Sequence, residues 1–465
     1  MFQITQNIDF GTFIRQFPQY KDTLLLDELR GTDYSRLDAS KQIYLDFTGG
    51  SLYADRQINA YTELLKKHVY GNPHSNNPAS QRSNLLVEET RASVLDYFNA
   101  DKDYLCIFTA NATGALKIVG ECYPFGIGSF LLLSLDNHNS VNGIREYSKN
   151  KGGRFRYTPV DPETLQLDED ELMANLQSHP GLKNKLFAYP AQSNVSGIKH
   201  PLKFVETAQQ EGWDVLLDTA AFVATNRLDL QLVRPDFATV SFYKIFGYPT
   251  GLGCLLVRTD KFEKLTKPWY AGGTIGLSAA TYDGHYLLSS HERFEDGTIN
   301  YLNIPAVKIG LSHIEAVGMN KINTRVRCLT AWLLQHLEEI KYPNGRRLIR
   351  IFGTKDISVR GGTIAMNFYD KNGQMYPPAM IESKAIRNNI LLRTGCFCNP
   401  GLDETNNGIS FSELENYFTT HQYGNFFDMI NYTGKQRGSV RISLGLVSNF
   451  ADALGFYRFA ERFVL

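Results

Sequence analysis

No apolar run in the sequence approaches the ~18 residues of a membrane span, which argues against a membrane protein. There is no excess of charge either: 48 Lys and Arg balance 48 Asp and Glu, so nothing points to a nucleic-acid or membrane-surface partner. Cysteine is sparse, and six residues in a chain of 465 are too few for a disulfide scaffold. Cys106, Cys122, Cys254 and Cys328 fall in apolar or helical stretches and are expected to be reduced packing residues. Met1 to Asn7 lack the basic end and apolar core of a signal peptide, so the cytosol is the expected compartment. Repeats, low-complexity tracts and long linkers are missing as well. What remains, 43% hydrophobic and 21% charged, is an ordinary globular composition with enough apolar residues for a full core.

From about residue 85 to 260, short apolar runs alternate with amphipathic stretches. Strands are expected at Tyr104–Thr109, Phe130–Leu135, Phe155–Pro159, Leu186–Pro190, Val215–Asp218, Phe237–Phe242 and Leu252–Val257. Helices are expected between most of them, as at Thr113–Cys122, Ser140–Asn150 and Pro201–Glu211. Such alternation implies an α/β fold with a mostly parallel sheet covered on both faces, which binds ligands beyond the carboxyl ends of its strands. After residue 300 the pattern changes to two long helices, Tyr301–Val317 and Asn320–Ile340. Apolar runs follow at Leu348–Phe352 and Thr363–Phe368, then a helix near Met380–Asn389, a strand at Ser439–Leu444 and a helix at Ala451–Val464. We therefore expect a large domain over 44–300 and a smaller α+β domain over 301–465, with 1–43 packing on the latter.

Ser241-Phe242-Tyr243-Lys244 leaves an apolar, β-branched run, and a lysine there loses hydration. Desolvation lowers its pKa and frees the amine to attack a carbonyl. Asp218 closes another apolar strand upstream. A pyridoxal phosphate enzyme needs this pair, the aspartate for the pyridinium nitrogen and the lysine for the Schiff base. The competing reading is a snorkelling lysine with an unrelated aspartate nearby.

Other segments join the pattern. Phe108 to Gly114 links a strand to a helix start whose amides, with Thr113, would cradle a phosphate; an ordinary N-cap threonine is the alternative. His138, just after a strand, can stack on an aromatic cofactor and move protons, or can be a hydrogen-bonded loop histidine. Asn194 offers amide bonds to a cofactor oxygen or substrate carboxylate, or serves a turn. Arg393, Cys396 and Cys398 share a Gly/Pro-bounded loop that allows a thiolate exposure beside a cation. Half of a metal site is the alternative there, but no second Cys/His pair has suitable spacing, so no metal is expected. Arg441 lies inside an apolar strand and demands an anion, either a substrate carboxylate or a structural partner.

In this order, Asn137-His138-Asn139-Ser140, Ser241-Phe242-Tyr243-Lys244-Ile245-Phe246-Gly247, Phe294-Glu295-Asp296-Gly297-Thr298-Ile299, Arg393-Thr394-Gly395-Cys396-Phe397-Cys398-Asn399-Pro400-Gly401 and Val440-Arg441-Ile442-Ser443 carry a likeness. The chain from about Tyr44 onward resembles the class V aminotransferase family of pyridoxal phosphate fold type I enzymes (aspartate aminotransferase-like). Within it the motifs are most similar to cysteine desulfurases, especially the N-terminal sulfurase domain of molybdenum cofactor sulfurases.

The resemblance implies Lys244 as the Schiff-base lysine, Asp218 as the ring-nitrogen partner and His138 stacked on the ring. It implies a phosphate site from Asn111, Ala112, Thr113 and Ser241, completed by Thr298 of a second subunit in a homodimer. Asn194 and Arg441, helped by Arg393, would hold the substrate carboxylate, and Cys398 would take sulfur from L-cysteine as a persulfide, releasing alanine. The sulfur would pass to a cofactor or carrier protein, and no nucleic acid or membrane partner is implied. Two departures stand out. Ala221 replaces the glutamine of general cysteine desulfurases, so the bond to the ring oxygen must come from elsewhere, Asn194 being one source. Tyr243 replaces their histidine before the lysine. Both lean toward the sulfurase branch, yet the cysteine usual after the Asn399-Pro400-Gly401 segment is missing, and the chain ends without the C-terminal domain that receives sulfur in eukaryotic members. The acceptor is left open. The alternative function is a lyase, epimerase or aminotransferase on another amino acid, with Cys398 incidental.

Overall fold

Seven strands build the central sheet: β1 (Tyr104–Thr109), β2 (Ser129–Ser134), β3 (Arg154–Thr158), β4 (Asn184–Pro190), β5 (Asp214–Asp218), β6 (Phe237–Ser241) and β7 (Gly253–Arg258). They belong to a computed structural model that describes residues 9–179 and 181–464. The start, Met1 to Asn7, read above as lacking a signal peptide, lies outside the described residues. The spatial order is β1-β7-β6-β5-β4-β2-β3, with β2 to β6 parallel. β7, expected within a mostly parallel sheet, runs antiparallel to both neighbours.

Alternate side chains serve opposite faces of the sheet. Phe130 and Leu132 of β2 join one core cluster, while Leu131 and Leu133 join the other. Period-two alternation within continuous apolar runs is what a sheet covered on both sides requires. All the parallel strands therefore deliver their carboxyl ends, and the loops that follow them, to one edge.

Beyond it, helices Ile304–Val317 and Met319–Glu339 lead to a four-stranded antiparallel sheet. Its strands are β8 (Ile349–Ile351), β9 (Thr363–Phe368), β10 (Arg393–Gly395) and β11 (Ser439–Ser443), ordered β8-β9-β11-β10. The N-terminal helices pack on this part: the Phe13 ring lies 4.5 Å from Phe450, and buried Arg325 binds Asp27 at 2.6 Å. Ile43 and Tyr44 then pair with Ile390 and Leu391, and Asp46 bridges to Ser443 of β11.

Several elements escaped the sequence pattern. Helix Pro78–Tyr97 buries Ser80, Ser83, Thr90 and Arg91, so its inward face carries no clean apolar stripe. Helices Phe411–Thr420 and Phe426–Thr433 show the reverse, with Phe411, Phe418 and Phe427 exposed. The expected helix Ser140–Asn150 is split in two at Gly143. Cys106, Cys122, Cys254 and Cys328 are buried and unpaired with one another, and burial pushes Cys122 up to about 12 and Cys328 to about 11. Among the described residues no helix is long and apolar enough to cross a membrane.

Candidate active site

The carboxyl edge of the parallel strands opens onto a cavity of about 290 Å³. Asp218, the last residue of β5, lines it, and the parallel register sets Asp218 opposite Thr239 of β6. Its Oδ1 accepts from the Ala220 amide at 3.0 Å and the Thr239 hydroxyl at 3.1 Å. Oδ2 has no hydrogen-bond partner among the described residues. Thr239 was missed as a site residue, and the signal was there: a hydroxyl inside the apolar run Phe237–Ser241 needs a reason.

Lys244 lies one step beyond the expected strand exit, on the short helix Phe242–Phe246 that follows β6 directly. It lines the cavity, and among the described residues its Nζ makes neither a hydrogen bond nor an ion pair. Burial pushes its pKa below the ordinary lysine value; Asp218 opposes this, and Arg441 and Arg393 reinforce it. The turn after the helix needs glycine: Gly247 has φ +81°, and a Cβ there would sit 2.5 Å from the Leu52 carbonyl carbon.

His138 also lines the cavity, and its Nδ1 accepts from the Ser140 amide at 3.1 Å. That bond assigns the proton of the neutral ring to Nε2. Burial lowers the His138 pKa against the pull of Asp218, with Lys244 and Arg441 adding to the effect. Nearby, the Asn111 side chain caps helix Ala112–Cys122, its Oδ1 accepting from the Gly114 amide at 2.9 Å. The amides of Ala112 and Thr113 then have no intrahelical acceptor. With the Thr113 and Ser140 hydroxyls, 2.8 Å apart, and Ser241 at the end of β6, they form a donor-rich wall suited to an anion. Asn194, Ala221 and Gln192 close the cavity, the last overlooked in the sequence.

Thr298 stands elsewhere. It lines a neighbouring cavity of about 400 Å³, where Asn72 Nδ2 reaches its hydroxyl at 3.3 Å.

The arginines already hold an acid that sequence reasoning overlooked. Asp46 Oδ1 accepts from Arg441 Nη2 at 2.8 Å, and Oδ2 from Arg393 Nε at 2.9 Å and Nη2 at 2.7 Å. Arg441 also donates to the Asn194 carbonyl at 2.9 Å and lies 4.7 Å from the Phe397 ring centroid. Burial lowers its pKa, with Asp46 opposing. No local spacing could have found Asp46, because the pairing joins residues 347 and 395 positions apart. Removing one partner of a buried pair strands the other charge, so Asp46→Ala is expected to cost about 3 kcal/mol. A urea midpoint corresponding to less than about 1 kcal/mol would contradict that assignment.

Cys398 is exposed and sits on a tight turn, while Cys396 is half-buried and its thiol is pushed up by burial. The turn is fastened to the rim of the cavity: the Asn139 amide donates to the Cys398 carbonyl at 2.6 Å, and Asn194 Nδ2 to the Phe397 carbonyl at 2.8 Å. At Gly401 an added Cβ would lie 2.0 Å from the Leu135 carbonyl oxygen, so only glycine lets the loop seat this closely.

Residues 43–453 match the aminotransferase class-V family. The chain is 37% identical to the molybdenum cofactor sulfurase of Bos taurus, covering 93% of this chain and 51% of that protein. Against the molybdenum cofactor sulfurase of Oryza sativa subsp. japonica it is 35% identical, over 94% of this chain and 57% of the relative. The chain thus spans about half the length of the curated relatives it matches. Among solved structures it is similar to a cysteine desulfurase from Thermococcus onnurineus, with TM-score 0.77, 22% identity and 94% and 97% of the two chains covered. A cysteine desulfurase from Escherichia coli superposes with TM-score 0.71 at 19% identity, over 98% of each chain.

Proposed function

The chain belongs to the class V aminotransferase family, with the α/β architecture of fold type I, and from that premise we propose that it is a pyridoxal phosphate-dependent cysteine desulfurase. The observation that carries this reading is the convergence of an unpaired Lys244, Asp218 and His138 in one cavity, with exposed Cys398 at its rim. The donor set fits the cofactor: a carboxylate oxygen with no partner among the described residues, an amine whose neutral form burial favours, and a helix start whose first amides lack an intrahelical acceptor. Lys244 would hold the aldehyde carbon, Asp218 Oδ2 the ring nitrogen, and the Ala112 and Thr113 amides with the Thr113 and Ser241 hydroxyls the phosphate. His138 would lie against the ring. Bound there, the cofactor supplies an electron sink for bonds at the substrate α-carbon.

The chain's own residues would do the rest. Lys244, whose neutral form burial favours and which can therefore accept a proton, takes and returns the α-proton. Asn194, with Arg441 and Arg393, orients the carboxylate of L-cysteine. The Cys398 thiolate attacks the substrate sulfur, an S–S bond forms as the C–S bond breaks, and the electron pair left on carbon takes a proton to give alanine. Persulfide is a reversible cap on cysteine, so the sulfur can be passed on. We place its acceptor among molybdenum cofactors or carrier proteins, the former favoured by the sulfurase relatives.

The same reading makes the enzyme a cytosolic homodimer, with Thr298 completing the phosphate site of the other subunit. It treats 44–300 as the cofactor domain and 301–465 as the cysteine-bearing domain. The test is a single turnover with L-cysteine, followed by mass spectrometry. One added sulfur, about 32 Da, on the Cys398 peptide together with released alanine supports it. Bound cofactor at Lys244 with neither product leaves a lyase, epimerase or aminotransferase.

A further inference from the structure

We propose that Asn399 is a positioning residue that docks the Cys398 turn onto the cavity and fixes the Asn194 amide, so that loop docking and ligand binding are coupled. The proposal rests on the functional reading above for the identity of the ligand, but not for the latch itself. Cys396 to Asn399 form a turn closed by the Asn399 amide on the Cys396 carbonyl at 3.0 Å, with Phe397 and Cys398 both at φ +55°. Two successive left-handed residues, neither of them glycine, are unfavourable by themselves and persist only where surrounding contacts hold them.

Those contacts converge on Asn399, which has no exposed surface. Its Nδ2 donates to the Asp136 carbonyl at 2.6 Å and to Asn194 Oδ1 at 3.1 Å. Its own Oδ1 accepts from the Leu402 amide at 3.2 Å, capping the helix Pro400–Asn407. Asp136 is immobilised in turn, since its Oδ2 binds His200 Nε2 at 2.7 Å with neither side chain exposed. Asn194 receives Asn399 on Oδ1 and gives Nδ2 to the Phe397 carbonyl, so the docked turn decides which way round its amide lies. One N–H and one lone pair of Asn194 remain for the cavity. A ligand that uses them favours the docked turn, and the docked turn favours the ligand by the same factor.

The test separates the Asn399 donors from its cap. Asn399→Asp keeps an acceptor for Leu402, since aspartate caps helices as well as asparagine does, but removes both Nδ2 bonds. In hydrogen exchange on the full chain, the Asn139 amide, bonded to the Cys398 carbonyl, reports docking. We expect its protection to fall by about tenfold or more in Asn399→Asp, the scale of two lost hydrogen bonds, while the peptide carrying Asp218 is unchanged. With pyridoxal phosphate at saturation, L-alanine should raise that protection in the native protein and leave it unaltered in the variant. Protection in Asn399→Asp within about twofold of native, or no response of the native protein to L-alanine, overturns the proposal. Both exchange results holding while L-cysteine adds no sulfur to Cys398 would keep the latch and discard the desulfurase reading.

Discussion

Lys244→Ala is expected to lower turnover of L-cysteine by about 10⁴-fold or more, because on the proposed reading this desolvated amine both anchors the cofactor and moves the proton. The variant should lose the absorption of covalently held cofactor, and turnover within about tenfold of native would remove Lys244 from the chemistry. A second readout follows from burial. The Lys244 pKa lies below the ordinary 10.5, so the folded chain holds this proton less readily than the unfolded chain does. Stability associated with the neutral lysine is complete above 10.5 and is lost as the pH falls toward the depressed value, where the loss levels off. Lys244→Ala, measured without cofactor, should therefore gain on the native protein as the pH is lowered from 10.5 to 7. Denaturant melts at both ends of that range decide it, and a relative loss for the variant at pH 7 would show the ammonium to be paired in solution.

Cys398→Ala should suppress sulfur transfer almost completely, by about 10³-fold or more, since no other group replaces an attacking thiolate. Cofactor binding should be untouched, because Lys244, Asp218 and the helix Ala112–Cys122 belong to the large sheet's strands and the helices that follow them, not to the loop. Cys396→Ala should keep most of the activity. Burial holds the Cys396 thiol up and so reduces its thiolate fraction, whereas Cys398 is exposed. If alanine forms at the native rate in Cys398→Ala, the attack on the substrate sulfur belongs to another group and Cys398 has no part in it.

The strands of the central sheet were legible because each is a short apolar run bounded by turns, and buried parallel strands need nothing else. Residues 130–135, for example, announce themselves through six consecutive residues with little polarity. Helix Pro78–Tyr97 did not, since its buried face uses serine, threonine and arginine satisfied by distant partners such as Glu295, which lies 2.7 Å from Arg91. The orientation of β7 was likewise hidden, as an apolar run reads the same in either direction.

At the site, the sequence by itself offered the candidate reactive groups. Lys244 after a buried strand, Asp218 closing another, His138 in a loop and Cys398 between glycine and proline were visible because each is costly or exposed where it stands. The shared edge of Lys244, Asp218 and His138 followed from the parallel alternation of strand and helix. Only the tertiary structure decided what restrains them. Asp46 holds both arginines from the beginning of the chain, Thr239 orients Asp218 across two strands, and Asn399 ties the cysteine turn to Asp136 and Asn194. These are hydrogen bonds between residues far apart in sequence, formed as buried polar groups find the partners that folding brings within reach, and no local pattern of residue types encodes that reach.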